Sequence, residues 1–244
     1  MDTDTLILTK PSDAKQIRVT LGGTNGAVPD LRFIGLSFSN TKVPTTTRPP
    51  NRAAWGKIIS TPEHSQHGYP NEKGWCSPTS LSMVLSRWAK ISNRPEMNLT
   101  VPEVAAAVYD DAYGGTGNWP FNTAYASELG MRAFVTRLRS LDEIEQMIGS
   151  GIPMVVSVSF AEDAMAGAGY STEGHLMVVV GFTDTGDVIV NDPASHLIAS
   201  DCEVQTVYDR GQFTAAWMAG SHGVVYVIHP PEMLLPPSPA EANW

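Results

Sequence analysis

GWCSPTSLSMVLSRW, residues 74–88, is the stretch from which the architecture of this chain can be read. Leu81, Val84, Leu85 and Trp88 recur at i, i+3, i+4 and i+7, the apolar stripe of a helix that buries one face. The residues before it, HSQHGYPNEKG, are turn formers, so the helix begins at or near Cys76, with Pro78 in its first turn, where a missing N–H costs nothing. A cysteine therefore stands at a helix N-terminus, where unpaired N–H groups and the positive end of the helix dipole favour a thiolate. Two readings of Cys76 compete: a small buried hydrophobe, or a nucleophile aimed at a substrate.

The other cysteine is Cys202 in a polar stretch, read as a spectator. Neither cysteine belongs to a CxxC pair or a Cys/His cluster at metal spacing, so no metal and no cofactor are expected. A disulfide between the two stays open. With 244 residues, 42% of them hydrophobic, the chain suits one domain of generous size or one domain plus an appendage. The net charge is −9 with no Lys/Arg run, which argues against nucleic acid and anionic membrane as partners. No apolar run approaches a membrane span. The start, MDTDTLILTK, lacks a basic n-region and an apolar core. The reading is either a cytoplasmic protein or an exported one whose signal is not part of this sequence.

Beyond the first helix, Thr100-Val101-Pro102-Glu103 is a capping-box pattern opening a helix over 101–110. Another helix is expected over 120–129, with Gly130 ending it. Ser140-Leu141-Asp142-Glu143 reads as a second capping box, for a helix to 149. Strands then dominate: 131–138, 152–160, 175–182, 187–192, 203–208 and 223–229, with Asp209 capping a short helix through Trp217. Helices come first and antiparallel strands second, an α+β layout.

A nucleophilic thiol needs a base and donors for an oxyanion. Of six histidines, His175 is the best base: it follows Glu173-Gly174 and opens a strongly apolar strand, although a strand-end histidine bonded to a loop carbonyl is the plainer alternative. Asn191-Asp192-Pro193 ends the following strand and also reads as a turn signal. A carboxylate accepting from the imidazole Nδ1–H would orient the ring and stabilise its charged form. Asp192 shares a face with Val188 and Val190, so either it or Asn191 reaches His175, not both. A two-residue Thr185-Gly186 turn would leave Asp192 opposite Val179, roughly 13 Å from His175. A four-residue loop pairing Gly181 with Gly186, or a bulge, brings them level. Gln66, ten residues before Cys76, has an amide that can fold back over the helix N-terminus.

Taken together, Ser65-Gln66, Trp75-Cys76-Ser77-Pro78-Thr79-Ser80, Gly174-His175-Leu176, Val178-Val179-Val180-Gly181 and Val190-Asn191-Asp192-Pro193 resemble the papain-like cysteine peptidases. More narrowly they resemble the bacteriocin-processing peptidases and their broader bacterial relatives, some of which also share Gly117-Asn118-Trp119-Pro120-Phe121-Asn122. The resemblance runs over about residues 60–229. It implies a papain-like fold, with Cys76 as nucleophile, His175 as base, Asp192 orienting the histidine and Gln66 completing the oxyanion hole. It also implies a peptide or protein substrate and a bacterial protein of a group often exported to the cell envelope. Leader-processing members carry Asp-Cys-Gly where this chain has Trp75-Cys76-Ser77, so thiol chemistry is carried over more firmly than a double-glycine leader substrate.

Trp75 and Ser77, flanking the cysteine, and Trp119 are expected to contact substrate. For Trp119, Phe121 and Tyr125 the alternative is core packing. The functional readings are a cysteine peptidase or amidase, a cell-wall peptide hydrolase or acyltransferase with the same thioester, or an inactive papain-like binding module. The oligomeric state is left open.

Outside this domain, QIRVTL (16–21) and LRFIGLSFS (31–39) alternate as two strands, read as a hairpin appendage over 1–45 or as the remnant of a larger β-domain. Residues 46–59 read as a linker, 60–230 as the peptidase domain and 231–244 as a loosely held Pro-rich tail.

Overall fold

The structure is a computed structural model that describes residues 8, 10, 12, 16–23, 26, 31, 33–38, 48–70, 73–195, 203–238 and 244. Cys202, His196 and parts of the N-terminal segment lie outside the described residues. Three helices lead the domain: α1 (Cys76–Ile91), α2 (Val101–Ala107) and α3 (Trp119–Glu128). Then follow β1 (Arg132–Arg137), α4 (Leu141–Gly149), β2 (Met154–Phe160), β3 (Thr172–Phe182), β4 (Val188–Asn191), β5 (Gln205–Tyr208), α5 (Arg210–Ser221) and β6 (Val224–His229). The strands form one antiparallel sheet in the order β1-β6-β2-β3-β4-β5.

The helix α1 starts at Cys76, and its stripe of Leu81, Val84, Leu85 and Trp88 is fully buried. The stripe meets Val155, Val178, Tyr226 and Ile228 of the sheet in one core cluster. Two of its hydroxyls are tied to backbone carbonyls: Ser80 Oγ donates to Leu176 O (3.1 Å) and Ser82 Oγ to Thr79 O (2.8 Å). Trp88 Nε1 donates to Ile228 O (3.0 Å). At Thr100 the expected box forms, the Glu103 carboxylate accepting from Thr100 N (2.8 Å) and Oγ1 (2.7 Å). At Ser140 it does not. Glu143 instead accepts from Arg139 N (2.7 Å) and pairs with the Arg139 guanidinium, while Ser140 bonds Asp142. The helix starts there all the same, with Asp142 and Glu143 placing two carboxylates in its first turn, where the helix dipole favours them.

The helices are not confined to one face of the sheet. α4 and α5 cover the opposite side, where Ile144, Met147, Phe213 and Trp217 pack on Met154, Val156 and Val158 of β2. The central strand β2 is thus buried on both faces through most of its length, with only the small Ser157 and Ser159 interrupting its apolar residues. α5 runs past Trp217 to Ser221 and ends at the left-handed His222.

The N-terminal appendage differs from its sequence reading. Among the described residues, 16–23 and 33–38 carry no strand. Residues 33–38 lie instead against side chains of β1: the Phe33 and Phe134 rings are 6.3 Å apart, and Ser37 Oγ bonds Thr136 Oγ1 (3.0 Å). Alternation is a property of one segment, whereas a ladder needs a partner backbone in register. Residues 51–59, read as linker, carry packed groups. Ala54 and Ile59 are buried, Trp55 Nε1 donates to Glu145 (2.8 Å), and Lys57 O accepts from Phe182 N (3.0 Å). In the tail, Met233, Leu235 and Trp244 pack on the core rather than hanging free.

Candidate active site

Register across β3 and β4 builds the site. Phe182 pairs with Val188 and Gly181 with Ile189, but Val179 pairs with Val190 and Val178 with Asn191, so one residue, Val180, is bulged out. Neither loop considered from sequence occurs. The bulge does the work. Without it, Phe182, Val180 and Val178 would share one face and His175 would lie on the other. With it, Met177 and Val179 share the face of Phe182, Val188 and Val190, and alternation carries His175 and Asp192 to that same side. Asp192 then stands diagonally across from His175 rather than opposite it. The β4 ladder ends at Asn191, opposite Val178, so among the described residues β3 around His175 has β2 as its one strand neighbour, through Val158. His175 occupies the notch left by the end of β4.

There the His175 Nε2–H donates to Asp192 Oδ1 at 2.7 Å. Sequence reasoning had placed the carboxylate on Nδ1. With Nε2 occupied, Nδ1 is the nitrogen left to face the thiol, and the Cys76 side chain hydrogen-bonds His175. Cys76 is a free thiol, which closes the disulfide alternative. All three groups are buried: Cys76 is 8% exposed, His175 4% and Asp192 0%.

The electrostatics run in one direction. Burial pushes the Cys76 thiol up, but the His175 hydrogen bond and charge, with the backbone N–H groups of Leu176 and Ser77, bring it below the ordinary value. Burial likewise opposes a charged His175, yet the Asp192 charge and hydrogen bond, helped by Cys76, push it up to about 10. Asp192 is raised by burial and lowered further by His175, Tyr170 and Tyr208, ending below the usual carboxylate range. Both shifts act towards a thiolate beside an imidazolium.

Asn191 faces away from His175, as alternation requires. Its Nδ2 donates to Thr61 O (3.3 Å) and Pro62 O (3.2 Å). Glu63 accepts from Val204 N (2.8 Å) and Gln205 N (2.9 Å), and Gln66 N donates to Pro193 O (2.9 Å). The strip 61–66 is thereby sewn to the turn that carries Asp192, which brings Gln66 to the Asp192 side of the site.

The three expected substrate contacts separate. Trp75 is half-buried in the N-cap position of α1 and packs on Tyr69, ring centroids 5.5 Å apart. The side chain of Ser77 is not available to a substrate: it is fully buried and bonds Tyr226 Oη (2.9 Å). One residue past the N-terminus of α1, the helix has already turned this position towards the sheet. Trp119 and Tyr125 pack on the α1 core, while Phe121 is exposed. The segment before Trp119 is anchored near the cysteine by Thr116 Oγ1, which donates to Gly74 O (2.9 Å). Sequence reasoning missed Tyr170 and Tyr208, whose hydroxyls donate to Asp192 Oδ2 at 2.7 and 2.8 Å. Nothing local marks them, since both reach Asp192 from other elements.

A cysteine at a helix N-terminus facing a histidine and an aspartate at one end of an antiparallel sheet defines a papain-like α+β protein. The Peptidase C39 like family model matches residues 57–224, and the chain belongs to that family. A crystal structure from Bacillus anthracis described as a C39-like peptidase is similar over 70% of this chain and 96% of its own, at 17% identity and a TM-score of 0.49. Membership rests on the family match. No curated protein matches the chain. Among the described residues, no helix is long and apolar enough to cross a membrane, and no group of three or more His, Cys, Asp or Glu is placed to hold a metal.

Proposed function

We propose that the chain is a cysteine peptidase or amidase that cleaves a peptide or amide bond through a thioester on Cys76. The observation that carries the reading is His175 bonded to the buried Asp192 while its hydrogen bonding and charge lower the Cys76 thiol beside it. The Cys76 thiolate attacks the carbonyl carbon, forming the S–C bond as the carbonyl oxygen takes the negative charge. The Cys76 backbone N–H, which has no partner within its own helix, and the Gln66 side-chain amide hold that oxyanion. Collapse breaks the C–N bond, and His175 gives its proton to the leaving amine. Water then attacks the thioester and returns a proton to His175, releasing the acid and restoring the thiolate.

The test is labelling by a peptidyl acyloxymethyl ketone together with hydrolysis of a fluorogenic peptide-amide library. Labelling at Cys76 and loss of essentially all hydrolysis in Cys76→Ala are expected. Removing the Gln66 amide should cost on the order of 10²-fold in rate. Full hydrolysis by Cys76→Ala would refute the proposal.

A further inference from the structure

Asp192 is fully buried, and a carboxylate offers about four lone-pair sites. All are used. Oδ1 accepts from His175 Nε2 (2.7 Å) and Ala194 N (3.0 Å); Oδ2 accepts from Tyr170 Oη (2.7 Å) and Tyr208 Oη (2.8 Å). The two hydroxyls come from different elements, Tyr208 from the end of β5 and Tyr170 from the connection between β2 and β3. Tyr170 also sets its ring edge-on to the imidazole, 5.6 Å between centroids at 81°, and packs on Phe160 at 5.2 Å. The titratable groups facing Asp192 are thus His175 on β3, Tyr208 on β5, Tyr170 on the β2–β3 connection and, beyond the imidazole, Cys76 on α1.

We propose that Tyr170 and Tyr208 are positioning residues: their hydroxyls hold the Asp192 carboxylate ionised and turned so that Oδ1 meets His175, which keeps the imidazole aimed at Cys76. This rests on the thiol-hydrolase reading for its purpose and on the four contacts for its geometry. A carboxylate removed from water tends to take a proton, and a protonated Asp192 cannot accept a charge-assisted bond from imidazolium. Two fixed donors counter that tendency, and donors from two directions also fix the plane of the carboxylate. Burial and the Asp192 charge push both phenols well above their ordinary range, so they remain donors throughout the working range of a thiol enzyme.

The experiment follows the Asp192 carboxyl carbon by NMR through an acid titration in the wild type, Tyr170→Phe, Tyr208→Phe and the double variant. The midpoint should rise by about one pH unit for each hydroxyl removed, the proton-affinity equivalent of one charge-assisted hydrogen bond. The difference in urea midpoint between wild type and each single variant should be largest above the carboxylate range and shrink as the pH falls through it. A purely packing role predicts an unmoved Asp192 midpoint and a stability difference independent of pH; either result in both single variants overturns the proposal. Electrophile labelling of Cys76 separates this outcome from the function. Shifted midpoints with an inert wild-type Cys76 sink the hydrolase reading and leave the tyrosine assignment standing. A reactive Cys76 with unmoved midpoints does the reverse.

Discussion

Replacing Asp192 by Asn removes a charge and little else. Asn has the same size, its Oδ1 still accepts from His175 Nε2 and Ala194 N, and its Nδ2 can donate to Tyr170 and Tyr208 once their hydroxyls turn to accept. What disappears is a full negative charge on the carboxylate that His175 Nε2 meets at 2.7 Å. Two unit charges about 4 Å apart interact by about 4 kcal/mol at an effective dielectric of 20, equivalent to roughly three pKa units. His175, held at about 10 in the native protein against the cost of its burial, should therefore fall to roughly 7 in Asp192→Asn. The assay is a pH titration of the His175 ring by ¹H–¹⁵N NMR, which needs no substrate. The same spectra report the tautomer, and the Nε2–H form should persist because Asn Oδ1 still accepts from it. In hydrolysis, the alkaline limb should move down by a similar amount, since the imidazolium protonates the leaving amine. A His175 midpoint still near 10 in Asp192→Asn would show that another group holds the proton, and the electrostatic account of the site would fail.

The other expectations concern stability. Glu145 is fully buried and accepts from Asn51 N (2.6 Å), Trp55 Nε1 (2.8 Å) and Arg210 Nη1 (2.7 Å), so Glu145→Ala should lower the unfolding free energy by about 3 kcal/mol in urea titrations. Gly181 follows the bulge directly, and a Cβ there would lie 2.3 Å from Lys57 O and 2.9 Å from Ile58 Cα. Both are backbone atoms, so Gly181→Ala should cost about 1–3 kcal/mol, read as a fall in thermal midpoint. Because His175 is raised above its unfolded value, its pairing stabilises fully below the ordinary histidine range and is lost as pH rises through about 10. Denaturant midpoints should fall over that interval in the native protein and stay flatter in Asp192→Asn. On the acid side the sign reverses: Asp192 is depressed, so its contribution persists until the pH drops through a value below the usual carboxylate range.

Much of the protein was legible from residues 74–88 outwards because the signals are local. A helical stripe, a capping box at Thr100, a glycine after Glu128 and Leu129, and apolar strand runs each act within a few residues of chain. They give element type and order, and with them the placement of Cys76 at a helix start, His175 near a strand opening and Asp192 at a strand end. The Ser140 box failed because a neighbouring backbone N–H, that of Arg139, took the Glu143 carboxylate. The N-terminal alternation yielded no strand among the described residues 16–23 and 33–38, since pairing is a property of two segments and alternation of one.

Other features lay beyond any local reading. Whether His175 and Asp192 share a face turns on the one-residue bulge at Val180, and nothing in VVVGF distinguishes that residue from its neighbours. The nitrogen that meets the carboxylate, the two tyrosines that complete it and the burial of Ser77 under Tyr226 depend on which residues meet across strands and layers. Hydrophobic periodicity says that a side chain leaves the solvent. Only the packed sheet, with α1 on one face and α4 and α5 on the other, decides what it meets there.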